Sequence, residues 1–264
     1  MTTAHPGHAG SGATSLRQRM RTGQLLRGLL VRVPSVHLID MAGDHGYDFV
    51  LLDTEHGIAD QRDVAEHITA ARAAGLDVLV RIAEGEAGLA LRVLDAGAVG
   101  VVVPHVASAE GADAAVSLAH YPPRGTRGFA TYTPAGRWGR VPAVEHAEHA
   151  AATTVVVAMI EDEAGVRAGA EICAVDGIDA VFVGPADLAA SMGHNAARAD
   201  EARRDVWDAA HAAGTPVVAI VGDAAQARAA REQGASVLVL NAQAAVDRCL
   251  AAWVLEGPGE SDPR

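Results

Sequence analysis

Short runs of β-branched and other apolar residues recur along this chain, and Ala-rich segments separate them. Each run is too short for a helix and has the composition of a strand buried on both faces of a parallel sheet. The pattern predicts strands at 27–32, 48–53, 77–82, 99–103, 154–160, 179–183, 216–220 and 236–240. It predicts helices at 15–23, 35–45, 60–74, 86–97, 108–119, 163–173, 199–213, 223–233 and 242–254. This strict alternation predicts an α/β fold, the (β/α)8 TIM barrel.

Glycines mark the ends of several predicted helices. Gly75, Gly97, Gly214 and Gly234 each stand one or two residues before the next predicted strand. Glycine adopts the left-handed conformation that commonly closes a helix, so we expect positive φ at all four.

The length of 264 residues, half of them apolar, is sufficient for one large core. We expect one barrel domain over 15–254, between a disordered N-terminal tail at 1–14 and a C-terminal tail at 255–264. The N-terminal segment lacks the apolar stretch of a signal peptide or membrane anchor, and no later run reaches about eighteen uninterrupted apolar residues. We therefore expect the N-terminal segment to be neither a signal peptide nor a membrane anchor.

The formal net charge of −12 restricts the partners. Nucleic acids and anionic membranes bind clustered cations, so we expect neither as a partner. Cys173 and Cys249 lie in predicted helices, far apart and without metal-type spacing. We expect both to be reduced thiols in the core of a cytoplasmic protein.

Two carboxylates follow neighbouring predicted strands at the ends where those strands stop. Glu161 comes directly after one apolar run, and Asp187 lies just beyond Gly184-Pro185, which ends the next. Adjacent parallel strands lie about 5 Å apart and end at the same mouth of a barrel, so the two side chains can converge. Oxygen donors without nearby Cys or His favour Mg²⁺ or Mn²⁺. A helix N-cap or a loop salt bridge is the alternative for each residue alone.

The segment Asp53-Thr54-Glu55-His56-Gly57 follows the second predicted strand. A carboxylate such as Asp53 that orients the imidazole of His56 would make it a general base near neutral pH. Alternatively, Asp53 caps the next helix and His56 is partly buried. Arg81 ends the third predicted strand, where an unpaired charge is unfavourable, so it needs a carboxylate from the protein or from a ligand.

The other prominent polar residues are less informative. The remaining histidines show no ligand spacing and are expected at the surface or in the core; they include His37, His45, His67, His105, His120, His146, His149 and His211.

More than thirty residues connect the helix ending near His120 to the strand near Thr154. Four arginines and four glycines lie between 124 and 140, which favours a loop that meets an anion. The alternative is a solvated surface loop whose arginines have a structural role.

Taken together, these segments resemble the HpcH/HpaI aldolase family, the class II metal-dependent pyruvate aldolases of the phosphoenolpyruvate/pyruvate barrel superfamily. The resemblance extends roughly from Thr22 to Trp253. Its motifs are GYDFVLLDTEH (46–56), Val80-Arg81, VLDAG (93–97), YPPRGTRG (121–128), Ile160-Glu161 and GIDAVFVGPADL (177–188). Their order and spacing are specific, although each alone is modest.

The resemblance implies that Glu161 and Asp187 bind a divalent metal, Mg²⁺ or Mn²⁺ and possibly Co²⁺, which chelates the carboxylate and keto oxygens of pyruvate. It implies that Arg81 stabilises the enolate oxygen. Gly184 and Ala186 would give room and backbone donors to the pyruvate carboxylate.

For proton transfer, the resemblance implies that His56, supported by Asp53, shuttles the proton of the aldol hydroxyl and that Glu55 orders a water. Asp95 matches a position that approaches the substrate site from a neighbouring subunit in relatives. A homo-hexamer with swapped C-terminal helices, or a trimer, is the implied assembly.

The implied reaction is cleavage or formation of 4-hydroxy-2-oxo acids through a metal-bound pyruvate enolate, with an aldehyde as the second partner. It needs no Schiff-base lysine, and the sequence contains none. Met159 and Leu30 differ from the residues common at these positions in relatives. The resemblance therefore does not imply that this chain shares the substrate of any one relative. The alternatives are a condensing enzyme, a citrate or acyl-CoA lyase type of activity, and a catalytically silent barrel that binds a metabolite.

Overall fold

The computed structural model describes residues 14–255, which form a closed barrel of eight parallel strands in sequence order. The predicted (β/α)8 barrel is confirmed. The strands are β1 (Leu26–Val31), β2 (Phe49–Asp53), β3 (Asp77–Arg81), β4 (Gly100–Val103), β5 (Val155–Ile160), β6 (Ala180–Val183), β7 (Val217–Val221) and β8 (Val237–Asn241). The predicted tails at 1–14 and 255–264 lie outside the described residues, apart from Thr14 and Leu255.

Helices connect the strands on the outside of the barrel. Within the described range they are α1 (Leu16–Arg21), α2 (Val36–Asp44), α3 (Gln61–Ala73), α4 (Ala87–Ala96), α5 (Ala109–Ala119), α6 (Ala143–Thr153), α7 (Glu163–Arg167), α8 (Gly169–Ala174), α9 (Pro185–Ser191), α10 (Ala196–Ala213), α11 (Ala224–Glu232) and α12 (Ala242–Leu255). A short 3₁₀ turn also lies at Arg137–Gly139.

Three helical regions differ from the sequence prediction. The segment predicted as one helix at 163–173 is two helices, α7 and α8, which meet at Ala168. Helix α9 begins at Gly184-Pro185, where only a turn was expected; proline favours the first position of a helix as well as a turn. Helix α6 occupies part of the long connection, so the irregular loop there is much shorter than predicted.

Strand residues alternate between two cores. One lies between the sheet and the helices, and the other fills the barrel interior. Leu16 and Met20 of α1 belong to the interior core, so this helix closes the end of the barrel where the strands begin. Inside, Gly28 faces the ring of Phe49: an added Cβ would lie 2.4 Å from its Cζ. The absence of a side chain at Gly28 therefore makes room for one of the few aromatic rings.

The predicted glycine positions are confirmed. Gly97 and Gly214 close α4 and α10 with φ of 107° and 72°. Gly75 and Gly234 also have positive φ, at 75° and 97°.

The two cysteines differ in environment. Cys173 is buried as expected, and burial raises the pKa of its thiol to about 11. The prediction that Cys249 is a core thiol is wrong, because it lies on a face of α12 that the rest of the described chain leaves exposed. Val246, Leu250 and Trp253 are exposed on the same helix. Residues 14–255 contain no helix with the length and apolar character needed to span a membrane.

Candidate active site

The alternation of side chains along the strands brings ionisable groups into the barrel mouth. Leu51, Leu79 and Met159 point into the interior core. Side chains two residues apart on a strand share a face, so Asp53, Arg81 and Glu161 also point inward, one step nearer the mouth. Asp53 pairs in register with Arg81 on the next strand. The carboxyl ends of β2, β3 and β5 thus supply the charged floor of the mouth.

Asp53 and Arg81 form a buried ion pair. Arg81 Nε donates to Asp53 Oδ1 at 2.9 Å, and Nη2 contacts Oδ2. Arg32 Nε also donates to Oδ2, at 2.8 Å. Burial raises the pKa of Asp53, but the hydrogen bonds and positive charge of Arg81, together with the Arg32 hydrogen bond, outweigh it and lower the pKa to about 2. Asp53 is therefore ionised at any physiological pH.

The structure places Asp53 differently from the sequence hypothesis. Its Oδ1 accepts the backbone N–H groups of Glu55 and His56, each at 3.2 Å. Its carboxylate is thus directed at Arg81, Arg32 and the following backbone, and no hydrogen bond joins it to the ring of His56. Asp53 holds the turn that carries His56, whose side chain is exposed at the mouth. Asp53 therefore supports His56 by accepting its backbone N–H, not by contacting its imidazole.

Glu55 extends this network. Its Oε2 lies 3.1 Å from Arg81 Nη1. The protein thus supplies Arg81 with two carboxylates, those of Asp53 and Glu55. The same Arg81 nitrogen lies 3.7 Å from the sulfur of Met159.

Glu161 follows β5 at the mouth and is nearly fully buried. Its Oε1 accepts the backbone N–H of His105 at 2.8 Å. Burial raises the pKa of Glu161, the N–H and charge of His105 oppose this, and the carboxylates of Glu55 and Asp187 raise it further, so that the net pKa is raised. Asp187 is half-buried in the first turn of α9. Glu55 and Asp187 are therefore near enough for their charges to act on Glu161.

This donor set fits a hard cation. Carboxylate oxygens are the ligands that Mg²⁺ and Mn²⁺ prefer, and a cation would offset the mutual repulsion that raises the pKa of Glu161. Among residues 14–255, no three His, Cys, Asp or Glu side chains converge closely enough to hold an ion by themselves. Mg²⁺ commonly uses one or two carboxylates and completes its coordination with water and substrate, which agrees with a two-carboxylate site.

Gly184 lets the carboxylate of Glu161 lie close against the backbone. It follows β6 next to the end of β5, and its N–H donates to the carbonyl of Ile160 at 3.0 Å. A Cβ at this position would lie 2.5 Å from Glu161 Oε2 and 2.6 Å from the methyl carbon of Met159. Any side chain at 184 would therefore displace the carboxylate of Glu161.

Gly184→Ala is therefore expected to weaken Mn²⁺ binding by about tenfold or more, the range seen when metal ligands lose their orientation. The reason is steric, since the Cβ meets Glu161 Oε2. The measurement is the Mn²⁺ dissociation constant from electron paramagnetic resonance titration. Gly169→Ala is the control, because its Cβ would lie 3.5 Å from the nearest atom, an ordinary contact. Equal affinity for Mn²⁺ in all three proteins would contradict this role of Gly184.

The chain is similar in sequence to a family model and to characterised aldolases. Residues 27–246 match the profile of the HpcH/HpaI aldolase/citrate lyase family. A hydroxypyruvate/pyruvate aldolase of Roseovarius nubinhibens is 34% identical over 231 residues, which cover 86% of this chain and 89% of that protein. The chain belongs to the HpcH/HpaI family. A pyruvate aldolase of Rhizobium etli is 36% identical over 178 residues, which cover 67% of this chain and 69% of that protein.

A solved structure of an HpcH/HpaI aldolase/citrate lyase family protein from Burkholderia cenocepacia agrees with the fold. It superposes with a TM-score of 0.85 at 34% identity, and the match covers 91% of this chain and 98% of that chain. The resemblance predicted from the motifs is thereby confirmed.

Asp95 lies far from the mouth of its own HpcH/HpaI barrel. It is in the last turn of α4, which runs back toward the end where the strands begin. Its carboxylate accepts a hydrogen bond from Arg127 Nη2 at 2.7 Å. A role at the mouth would require a neighbouring subunit, and that role stays a prediction.

The arginine-rich connection lies at the same end. Arg124 pairs with Asp176 at 2.7 Å and Arg127 pairs with Asp95, so these two arginines organise the connection. Arg137 and Arg140 are exposed. Arg124 and Arg127 therefore have the structural role that was the alternative to binding an anion.

Sequence reasoning missed His105. It was grouped with the surface and core histidines, yet it follows β4 at the mouth, and its Nδ1 lies 3.2 Å from Glu161 Oε1. The motif Val103-Pro104-His105 directly after a predicted strand was the available signal. Ala186 is exposed in the first turn of α9, beside Asp187, and its role as a backbone donor stays a prediction.

Proposed function

We propose that this HpcH/HpaI family member is a divalent-metal-dependent aldolase that cleaves or forms 4-hydroxy-2-oxo acids, with pyruvate and an aldehyde as partners. The observation that carries the proposal is that Glu161 and Asp187 lie close enough to interact at the barrel mouth that also holds Arg81. The names of the Roseovarius and Rhizobium relatives support pyruvate as the keto acid.

Glu161 and Asp187 are the proposed ligands of the cation. Mg²⁺ or Mn²⁺ suits their oxygen donors, and Co²⁺ is a further candidate. When bound, the cation supplies a Lewis acid that stabilises negative charge on a keto oxygen. The absence of a Cβ at Gly184 makes room for the Glu161 carboxylate itself. The first-turn N–H groups of α9, including that of Ala186, have no partner within the helix and can donate to its carboxylate.

Arg81 is proposed to stabilise the enolate oxygen. Its ion pairs with Asp53 and Glu55 fix the guanidinium in the mouth. The guanidinium has more N–H groups than these contacts use, so a donor remains for the substrate. A donor that is held in place before the reaction stabilises developing charge better than one that must reorient.

His56 is proposed as the base. Its exposed ring is carried by the turn that Asp53 holds from below. In the cleavage direction, His56 takes the proton of the C4 hydroxyl, the C3–C4 bond breaks, and the electron pair passes into the pyruvate enolate while an aldehyde leaves. Glu55, at the same turn, is proposed to order a water for this proton transfer. Protonation of C3 then completes pyruvate.

The chemistry does not use a Schiff base. No lysine occurs anywhere in the sequence, so an imine between a lysine and the keto acid is impossible. The enolate would have to be stabilised by charge instead, which is the role proposed for Arg81 and the cation.

Location and assembly are further parts of the proposal. A cytoplasmic homo-hexamer or trimer agrees with the exposed apolar residues of α12. In such an assembly, Asp95 would approach the mouth of a neighbouring barrel. Neither nucleic acid nor membrane is a proposed partner.

The test is hydrogen exchange of the pyruvate methyl group in deuterated water, followed by proton nuclear magnetic resonance. We expect exchange with Mg²⁺ or Mn²⁺ and none after chelation. Aldehyde acceptors added with pyruvate, and separately with hydroxypyruvate, then identify the donor. Binding of pyruvate without exchange under Mg²⁺, Mn²⁺ and Co²⁺ would overturn the proposal and favour a silent barrel.

A further inference from the structure

We propose that the ring of His105 is a positioning group for Glu161: it fixes which carboxylate oxygen faces the cation. This inference rests on the proposed function, because it assumes that Glu161 is a metal ligand. His105 lies in the loop that connects β4 to α5 and thus at the mouth of the barrel.

The backbone of His105 is unusual. Its φ is +52°, and only four non-glycine residues among those described have a positive φ. This conformation is unfavourable for residues with a Cβ and is found where surrounding contacts hold it in place. The conformation directs the N–H of His105 at Glu161 Oε1, 2.8 Å away.

The imidazole lies between two carboxylates from different strand ends. Its Nδ1 is 3.2 Å from Glu161 Oε1, and its Nε2 is 3.8 Å from Glu55 Oε1. A proton on Nδ1 allows the ring to donate to Glu161 in either the neutral or the charged form. Glu161 is nearly fully buried, whereas 41% of the His105 side chain is exposed. The ring is therefore the more exposed partner of a buried carboxylate.

The two oxygens of Glu161 have separate surroundings. Both donors of His105 meet Oε1. The other oxygen, Oε2, is the one nearest the missing side chain of Gly184, on the side of β6 and α9. Asp187 belongs to α9. By holding Oε1, His105 leaves Oε2 for a cation shared with Asp187.

A purely conformational role makes a different prediction. Glycine adopts positive φ without strain, and asparagine adopts it more readily than most residues. If His105 served only the loop, either substitution would preserve the site. If the ring positions Glu161, removing it releases the carboxylate even though the backbone N–H remains.

The experiment compares His105→Gly with His105→Asn, which retains a short polar donor. His194→Gly is the matched control, because His194 is an exposed histidine with φ of +59° and has no carboxylate partner among the described ion pairs. Chelator-treated proteins are titrated with Mn²⁺ by electron paramagnetic resonance, and thermal unfolding is recorded without metal. We expect His105→Gly to bind Mn²⁺ about 10- to 100-fold more weakly without a lower unfolding temperature. His105→Asn should recover part of the affinity, and His194→Gly should match the parent.

Parental Mn²⁺ affinity in His105→Gly would overturn the inference while leaving the proposed function intact. Equal weakening in His105→Gly and His194→Gly would also overturn it, because loop conformation would then be the cause. If the parent protein itself neither binds Mn²⁺ nor exchanges pyruvate protons, the proposed function fails and this inference fails with it.

Discussion

Glu161→Gln and Asp187→Asn are each expected to reduce pyruvate proton exchange by more than about 100-fold, since loss even of a residue that only supports a ligand reduces affinity or activity by about 10- to 100-fold. Each substitution keeps an oxygen acceptor of similar shape but removes the charge that holds a cation. The measurements are the exchange rate at saturating pyruvate and the Mn²⁺ dissociation constant. Both quantities should change together.

Glu161→Gln should lower activity without lowering the stability of the fold. The raised pKa of Glu161 shows that burial and the neighbouring carboxylates disfavour its charge in the folded protein. An amide at this position removes that repulsion and still accepts the His105 N–H, so we expect metal-free Glu161→Gln to unfold at the same temperature or higher. Glu148→Gln, an exposed position on α6, controls for the loss of one negative charge. Full exchange activity in either site variant would contradict the assignment.

Arg81→Met is expected to abolish exchange and, unlike the carboxylate variants, to destabilise the fold by about 3 kcal/mol. Arg81 and Asp53 are 4% and 1% exposed, and removing one partner leaves the other as a buried charge. Arg32 remains beside Asp53, which keeps the expected value at the low end for a buried pair. The free energy of unfolding in urea measures the loss. Arg62→Met should change it by less than about 0.5 kcal/mol, because the Arg62–Glu66 pair is exposed.

The pH dependence of the same pair has a defined sign. The folded-state pKa of Asp53, about 2, lies below its usual value of 3.8. Ionised Asp53 therefore stabilises the fold fully above pH 3.8, and about 2 kcal/mol is lost as the pH falls toward 2. We expect this loss to be smaller in Arg81→Met. If the double variant Asp53→Asn with Arg81→Met is no more stable than Arg81→Met alone, the destabilisation does not come from an uncompensated Asp53.

The barrel was predictable because its signals are local. Strand runs such as Val155–Ile160 and caps such as Gly97 and Gly214 are legible in a few consecutive residues, and the observed elements follow them closely. Helix α9 was missed because Gly184-Pro185 satisfies both a turn and a helix start. Helix α6 was missed because the glycine and proline content of the preceding segment suggested an irregular connection.

The sequence predicted which strand ends carry the ionisable side chains of the site, but not which of these side chains contact each other. Asp53, Arg81 and Glu161 share the inward face because side chains alternate along strands. The partner of Asp53 was assigned to His56 from spacing along the chain, whereas the partner in space is Arg81, which depends on the register between β2 and β3. The position of His105 directly after β4 could indicate the mouth, but its contact with Glu161 could not be predicted, because it requires a positive φ and the juxtaposition of β4 and β5.

Mn²⁺-dependent binding of pyruvate tests the central claim most directly, namely that two acidic side chains hold the cation needed by the keto acid. Water-proton relaxation by protein-held Mn²⁺ reports both binding events, because pyruvate displaces water from the ion. The parent should enhance relaxation on binding Mn²⁺, and pyruvate should reduce that enhancement. The combined Glu161→Gln, Asp187→Asn variant should show neither effect. Enhancement and pyruvate response equal to those of the parent in this variant would contradict the account.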